Sequence, residues 1–293
     1  MTNRSSAPNI IIPPTSQVYM MLNRLVDNQR IVFLTGLPGV GKSLLLNQLT
    51  HLAHFSGHQV YLLQWDILRD AFMTDRIASL FPDTDGITHS VIRRAAGLWV
   101  RQAVAQWHQK HLGEKSILIG EAPLIGNRLL ELVLPRNDAA ESILLDKSTR
   151  FVLPIPSRRI RRLMETARQT SIKNPRNSRE LNDAAPEVLK ALWRELIRAA
   201  MALNIPTPPK GSDEGYDPRI YESVYLQVLK HRRYEITRLN ITLSTHSRSV
   251  YTFNMPVEEL IPNASEVSHS IEEVEHTYPN LHGLEQEMEE WYA

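Results

Sequence analysis

Gly36-Leu37-Pro38-Gly39-Val40-Gly41-Lys42-Ser43 fills every fixed position of the pattern G-x-x-x-x-G-K-[ST]. Few short segments constrain a fold as tightly, because this loop works only between a strand and a helix. Both flanks are present. Ile31-Val32-Phe33-Leu34-Thr35 is a β-branched, apolar run that reads as a buried strand. Leu44, Leu45, Leu46, Leu49 and Leu52 give the segment after Ser43 the spacing of a helix packed on a sheet. Strand, turn and helix in that order aim successive backbone N–H groups and a helix N-terminus at bound phosphates. Gly36, Gly39 and Gly41 let the main chain approach them closely. Lys42 is expected between the β- and γ-phosphates, and the Ser43 hydroxyl on Mg²⁺. The candidate nucleotide-binding set is therefore Gly36, Pro38, Gly39, Val40, Gly41, Lys42, Ser43 and Leu44. No N-K-x-D segment, the usual reader of guanine, follows a late strand, so ATP is the expected nucleotide.

Charge is divided unevenly along the chain. Ten glutamates and no Lys or Arg follow Arg248, and that −10 against a whole-chain +1 leaves +11 on the first 248 residues. The absence of cysteine excludes disulfides and cysteine-ligated metals and fits a cytoplasmic protein. Residues 1–16 are polar, contain Pro13 and Pro14 and lack a signal pattern. No apolar run approaches the roughly 20 residues that span a bilayer, so no membrane partner is expected.

The spacing predicts strands over 31–35, 59–65, 116–120, 150–155 and 234–241. Helices are predicted over 17–27, 88–111, 186–203 and 218–232, with another through Arg128 and Leu132. Specificity loops are expected over 67–90 and 122–128. Trp99 and Trp107 fall on the apolar stripe of the 88–111 helix. His51 with His54, and His108 with His111, are expected at the surface rather than on a metal, because no further ligands share their faces. Alternation of strands and helices implies an α/β fold with a parallel sheet covered on both faces. Ligands in such sheets bind outside the carboxyl ends of the strands. Asp66, Glu121 and the arginines after residue 157 all fall at those ends, beside the glycine-rich loop.

That order of parts resembles the P-loop kinases of small molecules and nucleotides, and is similar to that of bacterial ATP-binding P-loop proteins. Asp66-Ile67-Leu68-Arg69 matches the D-x-x-R after the second strand of adenylylsulfate kinases and zeta-toxin-like kinases. Asp183-Ala184-Ala185-Pro186-Glu187 resembles the post-lid D-D-N-P-E of nucleoside monophosphate kinases, with Leu181 standing where an arginine is usual. The resemblance implies a three-layer P-loop NTPase with a five-stranded parallel sheet in the order 2-3-1-4-5. It divides the chain into an N-terminal segment (1–29), an NTPase domain (30–248) with a lid at about 157–186, and an acidic helical tail (249–293).

In that frame Asp66 is a candidate general base for an acceptor hydroxyl, with Arg69 and Arg128 as further acceptor contacts. Glu121 is a candidate member of the Mg²⁺ shell with Ser43, or a carboxylate that polarises water. Between Arg158 and Arg179 lie seven arginines and Lys173 against the single acid Glu165. At least one of Arg158, Arg162 and Arg168 is expected on phosphate, and Arg158 and Arg162 join Lys42, Asp66 and Glu121 as candidate catalytic residues. The leading expectation is a phosphotransferase moving the ATP γ-phosphoryl group to a small polar acceptor. A nucleotide-dependent ATPase or switch acting on a macromolecule is the alternative. Nucleic acid is not the expected partner, since only the basic body speaks for it. The tail, with Val257, Leu260, Ile261, Val267, Ile271 and Val274 at helical spacing, is expected to dock on the body, its acids near the lid.

Overall fold

Burial on both faces decides the sheet. Ile31–Thr35 (β1), Gln59–Gln64 (β2), Ser116–Ala122 (β3), Thr149–Pro156 (β4) and Tyr234–Leu239 (β5) run parallel in the order β2-β3-β1-β4-β5. Alternate residues enter opposite cores. Ile31, Phe33, Leu63, Leu118 and Phe151 face one side, and Val32, Leu34, Leu62, Ile119 and Val152 face the other. The first core is closed by Trp65–Phe72 (α3), Ser90–Lys110 (α5), Pro186–Ala202 (α8) and Pro218–Val228 (α9). Gln17–Asn28 (α1) and Lys42–Phe55 (α2) close the second. The result is a three-layer α/β arrangement around an all-parallel sheet. The computed structural model describes residues 9–84, 87–209, 215–243 and 248–292. Residues 1–8 of the expected N-terminal segment, residues 85–86 of the expected 67–90 loop, residues 210–214 and 244–247 of the expected NTPase domain and the last residue of the expected tail lie outside them.

The sheet has six strands, which corrects the expectation of five. Glu258–Glu259 (β6) adds to the outer edge of β2, with Tyr61 opposite Glu258 and Leu62 opposite Glu259. Two adjacent glutamates carry no alternation of apolar and polar residues, so periodicity could not reveal them. Their register is fixed by the Leu260 N–H, which donates to the Leu62 carbonyl at 2.8 Å. The Gln59 and Gln64 amides add bonds to the Glu258 and Glu259 carboxylates at 2.7 and 2.8 Å.

Other expectations change locally. The expected loop after β2 is largely helical, since α3 starts at Trp65 and Asp75–Leu80 (α4) follows it. Leu68 and Phe72 bury one side of α3 and hold it there. The segment through Arg128 is no α-helix. Leu124, Asn127 and Leu129 take positive φ angles and lead into a 3-10 turn, Leu130–Leu132. Glu141–Leu145 (α6) precedes β4, Arg158–Lys173 (α7) follows it, and α8 comes after α7. His51 and His111 are buried rather than at the surface, and the ring of His111 lies against Tyr61 and Trp107.

Ala264–Thr277 (α10) and Leu281–Glu289 (α11) pack on α5 through Val267, Ile271, Val274, Leu284 and Met288. Asn263 opens α10 with a capping box closed by Glu266. Apolar burial, not charge pairing with the lid, therefore sets where the tail helices lie. The one ion pair from their glutamates to the body, among the described residues, joins Glu287 to Arg94 at 2.5 Å. Among the described residues no helix is long and apolar enough to cross a membrane.

Candidate functional site

β1 ends at Thr35 and the chain turns into the glycine-rich loop. At Gly36, φ is +122°, and a Cβ there would stand 2.0 Å from the hydroxyl oxygen of Tyr221. That tyrosine belongs to a ring series, Tyr216, Tyr221 and Tyr225, with centroids 5.6 and 4.8 Å apart. Only glycine fits between the ring and the loop. Gly41, at φ +96°, stands just before α2 and contributes no side-chain cap. The first N–H groups of α2 are thus left to whatever faces the helix end.

Lys42 is buried at 4 % exposure, and its Nζ donates to the Leu37 carbonyl at 3.1 Å. Glu121, at the end of β3, lies 3.5 Å from the same ammonium and accepts the Ser43 hydroxyl at 3.3 Å. One carboxylate oxygen thus serves both loop residues. Burial lowers the pKa of Lys42, and Glu121 opposes that shift. Asp66, in the first turn of α3, keeps solvent access. Enclosure by the cleft walls, and next the charge of Glu121, nevertheless push its carboxyl up to about 6, against the pull of Lys42 and Arg179.

α7 lies over the loop. Arg161 donates from Nη1 to the Pro38 carbonyl at 2.7 Å and from Nε to Glu165 at 2.6 Å, with its guanidinium over the Tyr216 ring. Met164 covers Gly41. Arg168 pairs with Asp183 at 3.2 Å, and its charge reaches Lys42. Arg158 instead pairs with Asp217, while Arg162 is exposed. Both line a cavity of about 990 Å³ between α7 and α8, together with Arg161 and Arg168. Arg179 donates to Gln64 at 2.8 Å and stacks on Tyr251, whose hydroxyl donates to Asp183 at 2.7 Å.

The structure thus gathers Lys42, Ser43, Glu121 and Asp66, while Arg69, one turn along α3 from Asp66, has partners of its own. Arg69 donates to Thr88 at 2.9 Å and to the Asp83 carboxylate, and so ties α3 to both residues. Arg128 stays on the cleft side, where the charge of Asp66 acts on it. Arg161 and Tyr251 were not singled out from the sequence, whereas Asp183 stood there as the first residue of the post-lid match. For Arg161 a signal existed, since it shares a helical face with Met164 and Arg168 at i+3 and i+7.

These residues fit a polyphosphate: a desolvated ammonium with one carboxylate beside it, an uncapped helix N-terminus, and a hydroxyl against an acid. Among the described residues no three His, Cys, Asp or Glu side chains form a metal-ligating group. Mg²⁺ held by a hydroxyl, a carboxylate, phosphate oxygens and waters would not require one. Compared with protein-family models, with curated proteins and with solved structures, the chain matches none.

Proposed function

We propose that this chain is an ATP-dependent phosphotransferase that acts on a hydroxyl of a small polar acceptor. The observation that carries the reading is the shared contact of Lys42 and Ser43 with Glu121 at the mouth of a glycine-rich loop. Lys42 and the α2 N-terminus would hold the phosphates, and Arg161 and Arg168 would meet the charge that develops during transfer. Ser43 and Glu121 would hold Mg²⁺, which supplies charge neutralisation across the phosphates. Asp66 would accept the acceptor proton as the acceptor oxygen bonds to the γ-phosphorus and the bond to the β-phosphate oxygen breaks, leaving ADP. A carboxyl titrating at about 6 is ionised at neutral pH yet basic enough for that task.

Incubation with Mg·ATP and pooled hydroxyl compounds should form ADP only when an acceptor is present. The same assay with Lys42→Ala, its fold checked by circular dichroism, should fall to background. Steady ADP release that no acceptor changes would favour the ATPase reading instead. Full turnover by a folded Lys42→Ala protein would remove the loop from the mechanism.

A further inference from the structure

Two half-buried arginines stand beside the cleft with backbone carbonyls as their hydrogen-bond partners. Arg93, on α5, donates from Nη1 to the Gly126 carbonyl, and its buried Nε has no hydrogen-bond partner. Arg128 donates to the Ile125 carbonyl at 3.2 Å. Among the described residues neither guanidinium makes an ion pair. Glu195 of α8 stands nearest, across Gly126. A Cβ on that glycine would lie 2.9 Å from Glu195 Oε1 and 3.1 Å from Arg128 Nη1.

Desolvation therefore falls on two cations that no carboxylate among the described residues contacts directly, although the charge of Glu195 acts on both, that of Glu131 on Arg93 and that of Asp66 on Arg128. Arg93 is pushed down to about 10 by burial and then by the charge of Arg128. Arg128 is lowered by burial, against the pull of Glu195 and Asp66. Buried charges are normally paired, and an exception calls for a reason. An anion drawn between the two guanidinium groups would supply the missing acceptor oxygens, in the fork geometry that arginine favours.

We propose that Arg93 and Arg128 form an anion seat on the acceptor side of Asp66, taking a carboxylate or phosphate group carried by the acceptor. The acceptor is then an acid or a phosphate monoester that also bears the hydroxyl facing Asp66. This role rests on the phosphotransfer reading, whereas the seat itself does not.

The test is thermal melting of the full chain titrated with inorganic phosphate or with acetate, at constant ionic strength held by chloride. Wild type, Lys42→Ala, Arg93→Met and Arg128→Met are compared. The wild type should show saturable stabilisation by at least one of the two anions, and which one separates the phosphate from the carboxylate class. Lys42→Ala should keep that stabilisation, even if it loses nucleotide. Each methionine variant should weaken it at least roughly tenfold. Each should also melt higher than wild type without anion, because a desolvated cation that no carboxylate contacts directly is gone; a merely structural arginine would give a lower melting temperature. Absence of specific stabilisation in the wild type, its loss only in Lys42→Ala, or its survival in both methionine variants would overturn the seat. Failure of the ATP assay with these results intact would remove the phosphotransfer reading alone.

Discussion

Arg101 and Arg232 are buried and form ion pairs, whereas Arg93 and Arg128 are half-buried and form none among the described residues. Arg101, 2 % exposed, donates to both Asp138 oxygens at 2.6 and 2.7 Å, to Glu141 at 2.7 Å and to the Glu131 carbonyl at 2.6 Å. Arg232 forks onto Glu141 at 2.8 and 3.0 Å and bonds the Leu132 and Leu134 carbonyls. Burial opposes the charge of Arg101, yet its bonds to Asp138 and Glu141 hold its pKa above the ordinary value. Beside the cleft, burial instead prevails. A buried cation that is saturated belongs to the fold, tying α5 to the 131–141 segment and to the turn before β5. Arg93 and Arg128, which make no ion pair among the described residues, are the ones left open to an anion in the seat proposed above.

The sharpest way to break that comparison is to neutralise one arginine of each kind. Arg101→Met removes the bonds to Asp138, Glu141 and the Glu131 carbonyl, so it should lower unfolding free energy by about 3 kcal/mol. Urea unfolding measures this directly. The opposite sign is expected for Arg93→Met. If both variants shifted stability in the same direction, saturation would not separate fold from site.

Asp66 tests the same idea with the other sign of charge. An aspartate in the unfolded chain titrates near 3.8, while here it titrates at about 6. The fold therefore binds this proton more tightly than the unfolded chain does. The stability it contributes is present below about pH 4 and is lost as pH rises through 6. Without Mg²⁺, Asp66→Asn should therefore melt higher than wild type at pH 8 and gain little at pH 4. Its transfer rate should fall on the order of 10²–10⁴-fold, because an amide accepts no proton. Equal melting differences at both pH values would show that the carboxylate carries no such penalty.

How much of this was legible in the sequence follows from how far each feature reaches along the chain. The loop, its strand and its helix are contiguous, and each of the first five strands carries its own apolar pattern. Glu121 and Asp66 could be placed because parallel strands bring their carboxyl ends to one side. β6 could not, since its pairing depends on β2, far away in sequence, and not on any pattern in Glu258-Glu259. Arg69 and Arg128 looked equivalent as acceptor contacts. Only the fold shows that Asp83 and Thr88 occupy the first while the second faces the cleft. Among the lid arginines the phase of Ile160 and Met164 held the answer. Ile160 is buried and Met164 covers Gly41, which turns Arg161 to the loop and leaves Arg158 and Arg162 toward solvent and the cavity. The seat of Arg93, Arg128 and Glu195 joins three distant segments, and no periodicity encodes such a meeting.

The smallest expected effect comes from the tail, whose contact with the lid is of the saturated kind. Tyr251 is buried, its hydroxyl bonds Asp183, its ring carries Arg179, and Asp183 also pairs with Arg168. Burial, and next the charge of Asp183, raise the pKa of the phenol, so it stays a donor throughout the working range. Tyr251→Phe keeps the ring and the cation contact and deletes one hydrogen bond to a carboxylate that retains an arginine partner. A loss of about 1–2 kcal/mol is expected, well below that of Arg101→Met. Because the removed bond is to a charged group but not itself an ion pair, added salt should leave the loss nearly unchanged. Tyr251→Ala also removes the stacking surface of Arg179, and its larger deficit should contain the cation–π contribution, about 0.5–2 kcal/mol. Urea unfolding of both variants at low and high salt gives the two contributions separately. A Tyr251→Phe protein as stable as wild type would mean that Asp183 is held by Arg168 alone and that the tail merely rests on the lid.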